Sequence, residues 1–497
     1  MGDTIDLREI SQANTKGQAV PGTHVIRRQV LQVEFAGSEA DAFVLERRLP
    51  ELCRDWLTPA IERVLERSVP ADEHWSIDRL EVDAGTFDPE NLERDLIERV
   101  TEAIERLLRQ RTPPADLRAS SSTIVRRTAT QSVQEAFLYF LRTGGLPWWF
   151  HLPAGKTLEE ALRASWRAAG QTAGPPEHFA RSTIDVMESP AVQLRLVRQF
   201  SADFLRALLA RLAPGVATTL HQAFAELSGS DVGLPALRRF SEQLWQTAFA
   251  AAVAGSRPTA AALAAECLKS LPDVDRHQPA LRERIAQIWP EALSRHGERA
   301  TEAHAHTERP DVSRTAPAKG TKRKEPAVHN DVHEGVFINS AGLVLLHPFL
   351  PRLFDALGIA ADDRLVQPER ALCLLHFLAT GQRVAPEYEL ILPKLLCNVP
   401  LEAPVDSRIE LTAAEEAEAL ALLEAVVRNW DALGDTSPDG LRGTFLTRPG
   451  KLSRRDDGDD VLQVEARSFD ILLDRLPWGI GMIKLPWMER ILRVEWA

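Results

Sequence analysis

A predominantly helical α+β fold is what this 497-residue sequence predicts, from three observations. Leu92, Leu96, Val100, Ile104 and Leu107 recur at the 3.6-residue period of one helix face, and residues 157–292 read as a succession of such amphipathic helices. Short runs such as Leu31-Val33-Phe35 alternate instead with the two-residue period of a strand. A hydroxyl residue stands three positions before an acid at Ser38/Asp41, Ser132/Glu135, Thr157/Glu160 and Thr412/Glu415, the signature of a capped helix start.

Taken in order, residues 1–23 read as a flexible polar tail. Val25, Ile26, Val30, Leu31, Val33 and Phe35 predict a strand over 24–35. The helical region after Ser38 carries an apolar stripe of Phe43, Leu49, Leu52, Trp56, Val64 and Leu65. It is interrupted at Pro50 and Pro59, because proline lacks the N–H and crowds the preceding turn. A second strand is predicted over 75–84, and after Gly85 the pair Asp88-Pro89 sets an N-cap before proline at the first helical position. Residues 24–112 thus form a β-α-β-α module. A helical middle region follows over 113–295, opened by Pro113-Pro114 and Ser120-Ser121-Ser122. Within it Gly144-Gly145 stops the helix begun at Ser132, and breaks fall near 170–176, 214–215, 229–233 and 255–258.

Residues 296–333 contain Pro310, Pro317, Pro326, charges of both signs and almost no large apolar side chain, the composition of an interdomain linker. The C-terminal α+β domain, 334–497, starts with a short strand at Val336-Phe337-Ile338 and continues in helices around 341–357, 368–380, 387–397 and 412–433. Lys451–Arg455 and Val461–Arg467 then flank Asp456-Asp457-Gly458-Asp459, a hairpin turn, with further strands at 478–485 and 492–496. This region is expected to fold independently, with proteolysis cutting first between 296 and 333.

Composition bounds the function. Formal charge is 59 − 71 = −12, which argues against nucleic acid as the main partner, since phosphate neutralisation dominates that affinity. Cys53, Cys267, Cys373 and Cys397 lack the spacing of a zinc site and read as buried small hydrophobes of a reducing compartment. The apolar runs 244–255 and 343–354 are shorter than the roughly 20 residues of a spanning helix, so no membrane-spanning segment is expected. Met1 to Asp6 lack the basic start and apolar core of a secretory signal, which predicts synthesis ending in the cytoplasm.

No catalytic, cofactor or metal site stands out. Gly155-Lys156-Thr157 ends like a phosphate loop, but Phe150 stands where the first glycine belongs, and Thr157 with Glu160 reads as a cap. His304, His306, His329 and His333 lie in or beside the linker and read as exposed, and Lys319 to Lys324 as a solvated basic run. His347 and His376 sit in apolar helices away from any nucleophile motif, as hydrogen-bonded core histidines do. Asp78, Glu81 and Asp83 read as a solvated strand edge. Trp148 and Trp149 come after Pro147, Trp478 after Pro477 and Trp487 after Pro486: proline fixes the backbone while indole covers a large area, so each locks a turn or anchors a partner.

Several separated stretches, in order, carry a resemblance. They are His24 to Phe35; Ile77-Asp78-Arg79-Leu80-Glu81-Val82-Asp83; Phe140-Leu141-Arg142-Thr143-Gly144-Gly145-Leu146-Pro147-Trp148-Trp149; and Gly342-Leu343-Val344-Leu345-Leu346-His347-Pro348-Phe349-Leu350. Leu375 to Gly381, Pro386-Glu387-Tyr388-Glu389-Leu390, Leu392 to Cys397, Thr436 to Arg442, Leu476 to Ile480 and Ile483 to Met488 complete them. In these the chain resembles the tape measure proteins of contractile injection systems, the phage-tail-like particles. The resemblance implies a role in length control or assembly of a tube-and-sheath particle, with tube, baseplate or assembly proteins as partners and no catalytic residues. It implies assembly in the cytoplasm, with the protein either retained inside the particle or released. The alternative is a soluble assembly chaperone, or a baseplate or cargo adaptor, that measures nothing. Even one unbroken helix of the whole chain would reach only about 750 Å at ~1.5 Å per residue, and the 32 prolines shorten that.

Overall fold

A computed structural model describes residues 4–6, 24, 26, 29–70, 73–77, 80–87, 91–109, 124–152, 155–168, 176–227, 234–293, 335–406, 409–455 and 458–496. Two units divide the chain: one holds residues 1–135 and 148–165, the other 136–147 and 166–497.

In the first unit β1 (Thr4–Asp6) and β2 (Gln32–Glu34) pair antiparallel, so among the described residues the first predicted strand is found at its alternating end. Ser38 caps α1 (Glu39–Leu52) by accepting from the Asp41 amide at 3.3 Å. Pro50 lies inside that helix without ending it. A π turn over Cys53–Leu57 carries the chain straight into α2 (Thr58–Ser68). The predicted stripe therefore needs correction: Leu49, Leu52 and Val64 are buried, whereas Phe43 and Trp56 stand 60% and 62% exposed. Phe43 stands six residues before Leu49 in α1, a spacing that falls on another face, and the π turn changes the phase again at Trp56.

β3 (Glu73–Ile77) starts and ends earlier than the sequence suggested and pairs antiparallel with β4 (Ile124–Thr128). α3 (Leu92–Arg109) packs on α2 through Val64, Ile104 and Leu108. Asp78 and Asp88-Pro89 lie outside the described residues. A second correction concerns α4 (Ala129–Thr143). Its cap is Thr128, whose Oγ1 accepts from the Gln131 amide at 3.2 Å while Gln131 Oε1 accepts from the Thr128 amide at 2.9 Å. Ser132 is fully buried within the helix instead. Two overlapping cap patterns compete here, and the upstream one wins because the β3 ladder holds the chain extended as far as Thr128. Thr157 and Glu160 make the reciprocal box expected of them, at 2.9 and 3.2 Å, ahead of α5 (Leu158–Ala168).

The second unit opens with an aromatic cluster. Phe137 contacts Phe179, Phe200 and Phe204, and Trp166 stacks on Phe204 at 5.4 Å. The chain continues through α6 (Glu177–Val186), α7 (Pro190–Gln199), α8 (Ala202–Leu212), α9 (Pro214–Leu227), α10 (Leu234–Val253), α11 (Ala260–Ser270), α12 (Asp273–Arg276) and α13 (Pro279–Ile288). Residues 296–333 lie outside the described residues.

Beyond them, the predicted helix over 341–357 is a 3-10 turn, Ala341–Leu346, followed by α14 (Leu350–Ala356). α15 (Pro368–Thr380), α16 (Ile391–Leu396) and α17 (Ala413–Asn429) follow, the last opened by the Thr412/Glu415 capping box. Glu415 also accepts from Arg370, and this bond, with that of Thr412, holds its carboxyl down at about 2. α18 (Pro438–Leu441) is a single turn capped by Ser437.

Two two-residue strands, β6 (Ala360–Ala361) and β7 (Arg364–Leu365), pair locally. β5 (Val336–Ile338), β8 (Gly450–Arg454), β9 (Asp460–Val464), β10 (Met482–Ile483) and β11 (Leu492–Trp496) form one sheet in the order β10-β11-β9-β8-β5. β8 and β9 form the expected hairpin, pairing Gly450–Arg454 with Asp460–Val464, while β11 joins β9 in parallel. Leu452, Leu462, Leu492 and Ile483 of this sheet face the helices in one core.

Candidate functional site

Helix α4 stops at Gly144, whose amide donates to Phe140 O at 2.8 Å and whose φ of +80° is the left-handed conformation that favours glycine. A Cβ there would also lie 2.5 Å from Glu387 Oε1. Glu387 is completely buried, and two cations, almost as fully enclosed, share it. Arg195 Nε donates to its two oxygens at 3.1 and 3.0 Å, and Lys394 Nζ donates to Oε1 at 2.7 Å.

Both cations also donate to backbone carbonyls. Arg195 Nη1 donates to Leu141 O at 2.6 Å and Nη2 to Glu402 O. Lys394 Nζ donates to Leu401 O at 2.7 Å and Ala403 O at 2.8 Å. Three acceptors around one Nζ require three N–H groups, so Lys394 is an ammonium here although burial pulls its pKa down. Gln199 adds a neutral clamp, accepting from the Glu387 amide at 3.0 Å and donating to Val405 O at 2.7 Å. One carboxylate is thus shared by two buried cations, and five chain segments hang on it.

Several of the other stretches that carry the resemblance also bond to one another. Arg442 donates to Leu378 O at 3.1 Å and Phe377 O at 3.3 Å, closing the C-terminal end of α15 beside Gly381, whose φ is +73°. His376 is buried and paired with Glu389 Oε2 at 2.7 Å. Trp478 Nε1 donates to Leu345 O at 3.0 Å with its ring edge-on to Phe349, and Trp487 Nε1 donates to Leu396 O at 2.8 Å while stacking on Phe354. At the sheet, buried Arg448 donates to Asp470 at 2.6 and 2.8 Å, and Trp496 Nε1 donates to the same carboxylate at 3.1 Å. In the first unit, Arg127 lies over the Trp149 ring at 4.4 Å, and Trp148 is half-buried.

All four cysteines are buried and unpaired, and burial pushes Cys373 up to about 12. His347 gives its Nδ1 to Val344 O at 2.9 Å and is lowered by burial. Among the described residues no three His, Cys, Asp or Glu side chains are placed to hold a metal ion, and no helix is long and apolar enough to cross a membrane. His304, His306, His329, His333 and Lys319–Lys324 lie outside the described residues.

Arg195 is the residue the sequence reading missed. Its signal was a lone arginine between Val192 and Leu196 on the apolar face of α7, but nothing local names a partner 192 residues away.

Interlocked stretches around buried charge hold this part of the chain in one shape. The chain belongs to the contractile injection system tape measure protein family, whose family model matches residues 23–496. No curated protein and no solved structure matches it.

Proposed function

We propose that this chain helps build a contractile injection particle as a folded body, and that it does not set length by being stretched through the tube. The buried cluster carries this reading. Arg195 and Glu387 are 192 residues apart in sequence yet 3.0 Å apart in space. The same stretch fully extended would span roughly 630–690 Å at ~3.3–3.6 Å per residue. While the cluster is intact that stretch adds nothing to the protein's reach. The role is one of holding and presenting surfaces, with tube, baseplate or assembly proteins as partners and with assembly in the cytoplasm. Trp478 and Trp487 act as turn locks, a reading supported by their indole bonds to Leu345 and Leu396. The cation over Trp149 supports the same part for the Pro147 turn.

A series of polar insertions near Ala318 tests the proposal, since that position lies inside the pinned stretch. Sheath length in electron micrographs is expected to stay constant with normal particle yield, because flexible segments accept added residues at small entropic cost. A linear increase of about 1.5–3.6 Å per inserted residue would show a stretched ruler and overturn it.

A further inference from the structure

Helix α1 is two-sided. Ala42, Leu45, Leu49 and Leu52 face the rest of the first unit, all half-buried or buried. Ala40, Phe43, Val44, Arg47 and Glu51, three and four residues apart, form the opposite stripe, and all are exposed. Phe43 and Val44 are each 60% exposed. An exposed Phe-Val knob flanked by charge is the composition of a contact surface.

The order of charges along the helix selects the occupant. Glu39 lies at the N-terminal end, Phe43 and Val44 at the centre, and Arg47 beyond them. We infer that α1 pairs antiparallel with α1 of a second copy of this chain about a two-fold axis between Phe43 and Val44. Phe43 then meets Val44 of the second copy. Arg47 lays its aliphatic stem over Ala40 of that copy and carries its guanidinium to Glu39 beside it. In a parallel pair Arg47 would face Arg47, so charge fixes the direction as well as the partner. Being self-complementary, the patch contributes each of these contacts twice.

Light scattering of the full chain across a concentration series tests this. The mass is expected to rise toward two chains. Phe43→Ser should weaken association at least about tenfold, and at dilutions where both proteins run as single chains the thermal unfolding midpoint should be unchanged, since the side chain is exposed in the single copy. Arg47→Glu should weaken it too, and the Glu39→Arg, Arg47→Glu double variant should restore it. A single-chain mass at every concentration, or association indifferent to Phe43→Ser, would overturn the inference. So would a lowered midpoint in Phe43→Ser, which would mean that the chain covers this face itself.

Discussion

Glu387→Gln is expected to cost this protein most of its stability. The substitution keeps the shape and removes the carboxylate that Arg195 and Lys394 share, leaving two buried cations and an amide N–H₂ where an acceptor stood. Breaking a buried ion pair by neutralising one partner typically costs about 3–5 kcal/mol, against about 5–15 kcal/mol for a whole domain. The denaturant midpoint of the second unit should fall steeply, and yield of soluble protein with it. Removing all three charges together is expected to be milder. The triple variant Arg195→Met, Glu387→Leu, Lys394→Met has no uncompensated ion and should unfold at higher denaturant than Glu387→Gln. A single variant within about 0.5 kcal/mol of the parent, the usual range for surface changes, would show that the cluster is energetically idle.

Gly342→Ala should be nearly as damaging for a different reason. A Cβ at Gly342 would lie 1.7 Å from Phe445 O and 2.7 Å from Leu446 Cα, so the obstacle is backbone and no rotamer change relieves it. The 3-10 turn Ala341–Leu346 would have to move off the π turn Arg442–Leu446, pulling on Arg442 and the end of α15. Overpacking of a dense core costs about 1–3 kcal/mol and more when backbone must shift. Gly443→Ala is the matched control: nothing lies within 4 Å of a Cβ there, and the midpoint should stay put or rise slightly. Equal effects of the two substitutions would contradict the packing account.

What could be read in the sequence followed local chemistry. The Thr157/Glu160 and Thr412/Glu415 caps, the Gly144 stop and the β8–β9 hairpin are specified by residues within a few positions of each other, and each stands where it was expected. The stripe through Phe43 and Trp56 failed because periodicity identifies an apolar face without saying whether anything covers it, and a π turn then shifted its phase. Parallel pairing of β11 with β9 depends on a crossover that no turn signature encodes. The charge cluster was half legible: Glu387 and Lys394 stood in recognised stretches, whereas Arg195 lies in a region that contributed little to the resemblance. A buried ion is costly unless paired, so a lone arginine on an apolar helix face announces a partner without naming it.

Arg195, Glu387 and Lys394 lock α7 and the residues after 334 into one body, whatever joins them in sequence. A protease site introduced at Ala318 and cut after folding tests it most directly. The account predicts that the two fragments co-elute on native size-exclusion chromatography at the volume of the uncut chain and part only in denaturant. Fragments that separate after cutting, each with a folded spectrum of its own, would contradict it.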